Sequence, residues 1–491
     1  MTFSSFLNLL FQNKVLNFSQ SSVERSYKNL NTDFYINEVR KIQAWLKARN
    51  IKEGDHVCTL FENSIEWNIC DAAIISMGAI HVSLSPTIDS NKVKSVTKSC
   101  DLKLILVGTP IIKELFAFKL DSDELISFNQ ILEECAAIEL PKELLSRCEP
   151  NMISSLFFTS GTSSSTKAVY HTHGTILDNA MKTAEYYNFS PDTIALSILP
   201  IHYAFERMYN YVYQFSGASI HYANPQLSLL ENILVTQADV FCIVPKLLEE
   251  LLHQSKEEET TFKEYIKNKK PLIICSGAAI PNHLYGFLER DNIDIYEMYG
   301  STEALIVSAN TPERYRKGSS GHILFPERVK IDTTGQLQVN IGSSYYHSNF
   351  GANGEVKDGW FQTKDIAYIE NEFLHLSGRE SETFKNKEGL FLNSSEIEAE
   401  LKASPLVKNV LVYYDTNQGI CAIFELTQMG NKRAVTELIK GYNSKRDYSK
   451  RINYYAISSS WTVESGEMTI SFKVKRNFII QKYKNELIAV N

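Results

Sequence analysis

Glycine is scarce in this chain, with 22 in 491 residues, where ordinary usage near 7% would give about 34. Turns must be built largely from other residues, so each glycine in a motif carries weight. None of the eight cysteines, at 58, 70, 100, 135, 148, 242, 275 and 421, forms a CxxC pair. That spacing excludes a zinc ribbon or disulfide framework and reads as buried thiols of a reducing compartment, the cytoplasm. No apolar run reaches the ~18 to 20 residues of a spanning helix, so the chain is expected to be soluble or at most peripheral to a membrane. Basic charge is not in excess: 50 Lys and Arg stand against 57 Asp and Glu, a net charge of −7, which disfavours nucleic acid as a partner. Repeats and low-complexity tracts are absent.

What is present fits a large enzyme. Hydrophobic residues make up 44% of the chain, enough for full cores in more than one compact unit. Strand-like runs (Leu102 to Val107, Ile194 to Leu199, Val240 to Val244, Leu272 to Cys275) alternate with helix-like stretches (Ile36 to Ala48, Thr175 to Tyr187). The pattern predicts a large multi-layer α/β unit over residues 1–378. After Gly378 a smaller, more basic α+β unit, 379–491, is expected: strands at Val407 to Tyr414 and Ile420 to Leu426, then a helix from Lys432 to Tyr442. Lys445, Arg446, Lys450 and Arg451 read as a solvated face. The opening MTFSSFLNLLFQNK lacks a preceding basic residue and a cleavage site, so it reads as a short helix packed on the body. The alternative is interfacial membrane contact through Phe6, Leu7, Leu9, Leu10 and Phe11.

The most informative segment is LFFTSGTSSSTKAVYHTHGT, 156–175. A strand over Ile153 to Phe158 leads into Thr159, Ser160, Gly161, Thr162, Ser163, Ser164, Ser165 and Thr166, a loop of seven hydroxyls and backbone N–H groups that ends on Lys167. Such a loop suits a phosphate, although a Ser/Thr-rich surface turn has the same composition. It is not a Walker loop, which needs glycine at Thr166 and a hydroxyl at Ala168.

The loop resembles TSGTTGxPKG followed by HTH, the phosphate loop of the acyl-adenylate-forming (AMP-binding) superfamily. Further segments resemble that superfamily in its own order: Gly54 to Thr87, LPIHYAFER from Leu199, YGSTEA from Tyr299, DGWFQTKDIAYI from Asp358, GRESETFKNKEGLFLNSSEIE from Gly378 and TISFKVKR from Thr469. The long-chain fatty acyl-CoA synthetases and acyl-AMP ligases are the most similar members. The resemblance implies activation of a carboxylic acid with ATP and Mg²⁺, followed by thioester formation with CoA. The alternatives are loading of a separate acyl carrier protein, or a catalytically degenerate nucleotide-binding homologue.

By this resemblance Thr159, Ser160, Gly161, Thr162 and Lys167 hold phosphate. Tyr299 with Gly300 faces adenine opposite Gly277 and Ala278. The hydroxyls of Ser301 and Thr302 turn toward phosphate, and Glu303 is the metal ligand, a carboxylate being what Mg²⁺ takes from a protein. Asp365 and Arg379, 14 positions apart, grip the ribose, a carboxylate accepting two hydroxyls and a guanidinium donating to a third oxygen. Lys473 is the catalytic lysine on a mobile lid hinged at Glu380, Ser381 and Glu382, with Lys475 its rival. Gly389 falls on the glycine beside the thiol tunnel. Each has a plainer reading: Glu303 as a helix-start glutamate, Tyr299 as core, Asp365 with Arg379 as a surface ion pair, and Gly389 as a hairpin turn.

Departures from the pattern are concentrated at glycines and proline. Ser164, Thr166 and Ala168 replace glycine, proline and glycine, and Lys364 replaces the glycine of GWFxTGD; each is expected to remove a backbone allowance. The gating histidine aligns with Tyr203, with His202 one place early. The aromatic stretch Tyr203, Phe205, Tyr209, Tyr211, Tyr213 and Phe215 favours a fatty or aryl acid.

Overall fold

The computed structural model describes residues 2–3, 5–8, 17–21, 26–117, 125–139, 141–143, 148–159, 167–256, 259–346, 356–388, 390–428, 430–468 and 474–490. Two large sheets form the bulk. In the first, Asn17–Ser21, Ser219–Tyr222, Ile194–Ser197, Val240–Ile243, Leu272–Cys275 and Ile295–Ser301 lie side by side and parallel, in that order. Their central runs, VFCI and LIIC, are apolar without alternation because both faces are covered. A turn at 302–304 then reverses the chain into Leu305–Ala309, and the rest of this sheet, including Phe373–Arg379 and Trp360–Glu370, is antiparallel.

The second sheet carries Leu125–Ser127, Leu102–Val107, His56–Leu60, Ile80–Leu84 and Ile153–Thr159 in parallel, then Lys167–Thr172 and Tyr345–Tyr346 in antiparallel. Helices Ile65–Ser76, His173–Tyr187 and Ala204–Ser216 share one apolar core with strands of both sheets. Ile65–Ser76 is buried at every position, with apolar residues around its whole circumference and Glu66, Asn68, Asp71 and Ser76 as buried polar members. Side-chain caps start two of these helices: Ser64 Oγ accepts from the Trp67 N–H and Thr172 Oγ1 from the Thr175 N–H.

Toward the C-terminus, Val407–Asp415, Gly419–Leu426, Ile452–Ser458 and Ile488–Ala489 form a separate four-stranded sheet. Helices Ser394–Lys402 and Lys432–Ser444 share one apolar cluster with it, and Arg476–Tyr483 shares another. The expected α/β body and smaller α+β unit are both present.

The charge cluster near 445 faces solvent as expected: Lys445, Lys450 and Arg451 are exposed, and the partly exposed Arg446 pairs with Glu400 and lies 3.7 Å over the Tyr442 ring. Two expectations are corrected. Tyr209, Tyr211 and Tyr213 are fully buried core residues, so that part of the aromatic stretch reports packing and not an acid pocket. Ala168 lies in extended strand opposite Phe158, fully buried, so a Cβ is accommodated where the family has glycine. At the N-terminus, Phe3, Phe6 and Leu7 are buried, Phe6 stacked on Phe215 at 4.1 Å; Leu9, Leu10 and Phe11 lie outside the described residues. All eight cysteines are free and buried, as expected. Among the described residues no helix is long and apolar enough to cross a membrane.

Candidate active site

The motif residues gather at the carboxyl ends of two neighbouring parallel strands, where open α/β sheets hold their ligands. After Leu272–Cys275 the Ser276 N–H donates to the Ile243 carbonyl at 3.1 Å, and Gly277 turns out with φ +91°. Gly277 and Ala278 are exposed there. On the adjoining strand Ile295–Ser301, a Cβ at Gly300 would lie 2.3 Å from the Leu305 carbonyl oxygen, so only glycine fits the irregular pairing between Tyr299 and Gly300. Thr302 and Glu303 occupy the turn that follows. Glu303 is thus in a hairpin turn and not at a helix start. Ser301 Oγ accepts from the Ala304 N–H at 3.0 Å, which closes the turn and leaves the hydroxyl proton free to donate.

Asp365 is brought to this edge by a bulge. Between Gln362 and Ile366 the partner strand advances only from Gln338 to Gln336, and Lys364 takes the left-handed conformation, φ +63°. The glycine allowance at 364 is therefore still required, and a lysine meets it. Thr363 Oγ1 donates to the Leu337 carbonyl at 2.8 Å and accepts from the Asp365 N–H at 3.1 Å, which fixes the bulge. The nearly buried Asp365 carboxylate accepts from the Tyr299 hydroxyl at 2.6 Å and from Arg379 Nε at 2.8 Å. Burial, reinforced by the Asp365 charge, pushes the Tyr299 phenol well above its ordinary value, so it stays a donor. Arg379 faces Asp365 across the strand pair with its side chain about half exposed; only the carboxylate end of the pair is sealed. Tyr299 is not mere core.

Lys167 stands opposite Thr159 at the mouth of a hairpin. Ser160, Gly161 and Thr162, with the loop through Thr166, lie outside the described residues. So do Gly389 and Lys473. An antiparallel bridge joins Met468 to Val474, and the Lys475 N–H donates to the Glu467 carbonyl at 2.7 Å. Glu382, in the expected hinge, accepts from the Arg379 N–H at 3.2 Å and from Ser395 Oγ at 2.8 Å.

A charged network missed by sequence reasoning lies between the helices Ile65–Ser76 and Ala204–Ser216 and the second sheet. Arg207 Nη2 reaches Asp71 Oδ1 at 2.5 Å and Ser155 Oγ at 2.9 Å, and Tyr211 donates to Asp71 Oδ2 at 2.7 Å. His81 completes it, 2.5 Å from Asp71 and 2.7 Å from Thr59 Oγ1. Burial alone would raise the Asp71 carboxyl; Arg207 and His81 outweigh it and hold it below its usual range. The FER of LPIHYAFER was the available signal for Arg207. Next to it, burial pushes Glu206 up to about 8 against a hydrogen bond from Ser197 Oγ at 2.6 Å.

Fold and site together define an α/β protein with a polar site at the carboxyl edge of a largely parallel sheet. The AMP-binding enzyme family matches residues 16–348, and the chain belongs to that family. It is 20% identical to a long-chain-fatty-acid–CoA ligase of Mycobacterium bovis, over 92% of this chain and 91% of that protein. It is 24% identical to a 2-succinylbenzoate–CoA ligase of Bacillus velezensis, over 74% and 75%. Among solved structures, ATP-bound MatB from Rhodopseudomonas palustris superposes with a TM-score of 0.83 at 18% identity, over 99% of both chains.

Proposed function

We propose that the protein is an AMP-forming acid–thiol ligase that joins a fatty or aryl carboxylic acid to ATP as an acyl-adenylate and then passes the acyl group to CoA. The observation that carries the reading is the Tyr299–Asp365–Arg379 constellation beside the Gly277 loop and the Thr302–Glu303 turn. A sealed carboxylate with one exposed cationic partner can accept ribose hydroxyls, and Tyr299 with the Gly277 and Ala278 backbone can border a purine. Glu303 can supply the single protein carboxylate that a phosphate-bound Mg²⁺ needs. When bound, Mg²⁺ would neutralise phosphate charge.

In the first step an acid carboxylate oxygen attacks the α-phosphorus and pyrophosphate leaves. Lys167 and the hydroxyl loop would hold the leaving phosphates, and Lys473 would stabilise the oxygens gaining charge. In the second, the thiol attacks the acyl carbon and AMP leaves. We assign residues 379–491 to a lid that presents Lys473 for the first step. Eight buried thiols with no CxxC spacing favour a reducing, cytoplasmic setting. The names of the relatives favour CoA over a carrier protein. Purified protein given ATP, Mg²⁺, CoA and a panel of medium- to long-chain and aryl acids should release pyrophosphate and form acyl-CoA, followed by mass. Acyl-AMP without acyl-CoA would indicate a carrier protein, and no adenylate with any acid would indicate a degenerate homologue.

A further inference from the structure

We infer that His171 is a positioning residue that clamps the metal-side turn to the phosphate-side strand, so that Lys167 and Glu303 act on one nucleotide at a fixed separation. This rests on the reading of those two residues given above. His171 is in the strand Lys167–Thr172, four positions after Lys167 and on the far side of Thr172 from the helix that follows. Its imidazole is completely buried, with the Phe157 ring centroid 5.0 Å away.

Both ring nitrogens are engaged. Nε2 lies 2.8 Å from the Thr302 carbonyl oxygen and Nδ1 lies 2.8 Å from Ser344 Oγ. A carbonyl only accepts, so Nε2 carries the proton. Burial holds the imidazole down at about 4, so at neutral pH Nδ1 is bare and accepts from the Ser344 hydroxyl. Ser344 is itself buried, and the strand after it, Tyr345–Tyr346, pairs with Tyr170 and Val169 of the His171 strand. One ring therefore ties together three segments far apart in sequence: the strand leaving the phosphate loop, the turn holding Glu303, and the segment before Tyr345.

The turn needs such a tie. It joins two antiparallel strands through an irregular register, and its Ser301 cap fixes Ala304 but not Thr302. A satisfied core histidine could make one contact to any neighbouring backbone. Here the contact falls on the residue next to Glu303, and a second hydrogen bond fixes the ring so that its proton can point only there.

The test uses full-length protein and needs no acid. MgATP binding is titrated by calorimetry, and backbone amide exchange over 299–306 is followed by mass, for wild type, His171→Leu, Ser344→Ala and Glu303→Gln. His171→Leu should weaken MgATP binding about tenfold, the usual scale for losing a buried hydrogen bond, and speed exchange over 299–306 more than elsewhere. Ser344→Ala should shift both in the same direction by about threefold, and it decides the matter if the leucine variant does not fold. A folded variant with wild-type exchange in the turn and wild-type MgATP affinity overturns the inference, as does an even acceleration of exchange across the whole chain, which marks a purely structural role. Failure of the underlying reading looks different: Glu303→Gln then leaves the Mg²⁺ dependence of ATP binding unchanged, or wild type does not bind MgATP, while the exchange data still judge the clamp.

Discussion

Arg207 Nη2 lies 2.5 Å from Asp71 Oδ1 with both side chains closed to solvent, an ion pair that joins two helices 136 positions apart in sequence. The same guanidinium nitrogen reaches Ser155, in the strand that leads to the hydroxyl loop. Two charges so deeply buried are compensated by their neighbours: Tyr211 bridges both, His81 flanks the carboxylate, and the guanidinium lies 4.6 Å over the Phe157 ring, with Nη1 alone of its nitrogens lacking a hydrogen-bond partner among the described residues.

Removing one partner leaves the other charge uncompensated. Arg207→Met or Asp71→Asn is expected to cost about 3–5 kcal/mol in denaturant unfolding, and the double variant less than the sum of the two. The histidines add an acid weakness. His81 and His171 are held down to about 4 by burial, against 6.5 when free, so between those values the unfolded chain binds more protons and stability falls with pH. The lowered Asp71 carboxyl acts in the same direction: its contribution is present above its ordinary value of 3.8 and is lost as pH falls through the lower folded value. His171→Leu should lose less unfolding free energy than wild type between pH 7 and 4, and equal pH slopes for the two proteins would refute the neutral-histidine assignment.

Glu206 gives the opposite slope. Its folded value of about 8 stands above the ordinary 4.5, so the folded chain keeps a proton that the unfolded chain releases. The stabilisation is fully present below about 4.5 and is lost as pH rises through about 8. Glu206→Gln has nearly the same shape and no proton to lose. It should gain stability relative to wild type as pH rises from 5 to 8, and equal pH slopes for the two proteins would count against a protonated Glu206.

At the site edge, Tyr299→Phe removes only the hydroxyl that donates to Asp365. A hydrogen bond to a charged group is worth about 1.5–3 kcal/mol, so the KM for ATP should rise about tenfold or more. Asp365→Asn should be worse, since it also weakens Arg379. Turnover at saturating ATP should change less than KM, because these groups hold the ribose and do not touch the reacting phosphorus.

Sequence reading recovered what is local. YGSTEA and the pairing of Asp365 with Arg379 are short-range patterns, and the strands Leu102–Val107 and Leu272–Cys275 are apolar runs bounded by turn residues. Helix ends drifted by a few residues where capping, as at Asn31 and Thr172, decides them. Asp71, His81 and His171 could not be paired from sequence because their partners are set by how two sheets close on shared helices. A lone histidine or aspartate carries no trace of such a partner.

The two glycine replacements should behave in opposite ways. Lys364 is in left-handed backbone, where a Cβ costs about 1 kcal/mol. Lys364→Gly should therefore raise stability by about that much and leave KM for ATP equal or lower. Ala168 is in extended, buried strand, so Ala168→Gly should lose about 0.5–1 kcal/mol. Thermal unfolding of both variants checks the pair; a stabilising glycine at 168 would contradict the strand geometry.

Lys473 and Lys475 remain to be separated, and the half-reactions do it. The Lys475 backbone is bonded to Glu467 and precedes the helix Arg476–Tyr483, which suits an anchoring position. If Lys473 acts on the oxygens that gain charge as adenylate forms, Lys473→Ala should lower adenylate formation by about 100-fold or more, the scale of losing one transition-state donor. ATP affinity, measured separately, should change little, because the interaction belongs to the transition state and not to the bound nucleotide. Thioester formation from supplied acyl-AMP and CoA should persist, since no phosphate bond is made in that step. Lys475→Ala should leave adenylation within a few-fold of wild type and lower stability modestly. A dead Lys475→Ala beside an active Lys473→Ala would move the catalytic role two residues on, and equal loss of ATP affinity and rate in Lys473→Ala would make it a binding residue.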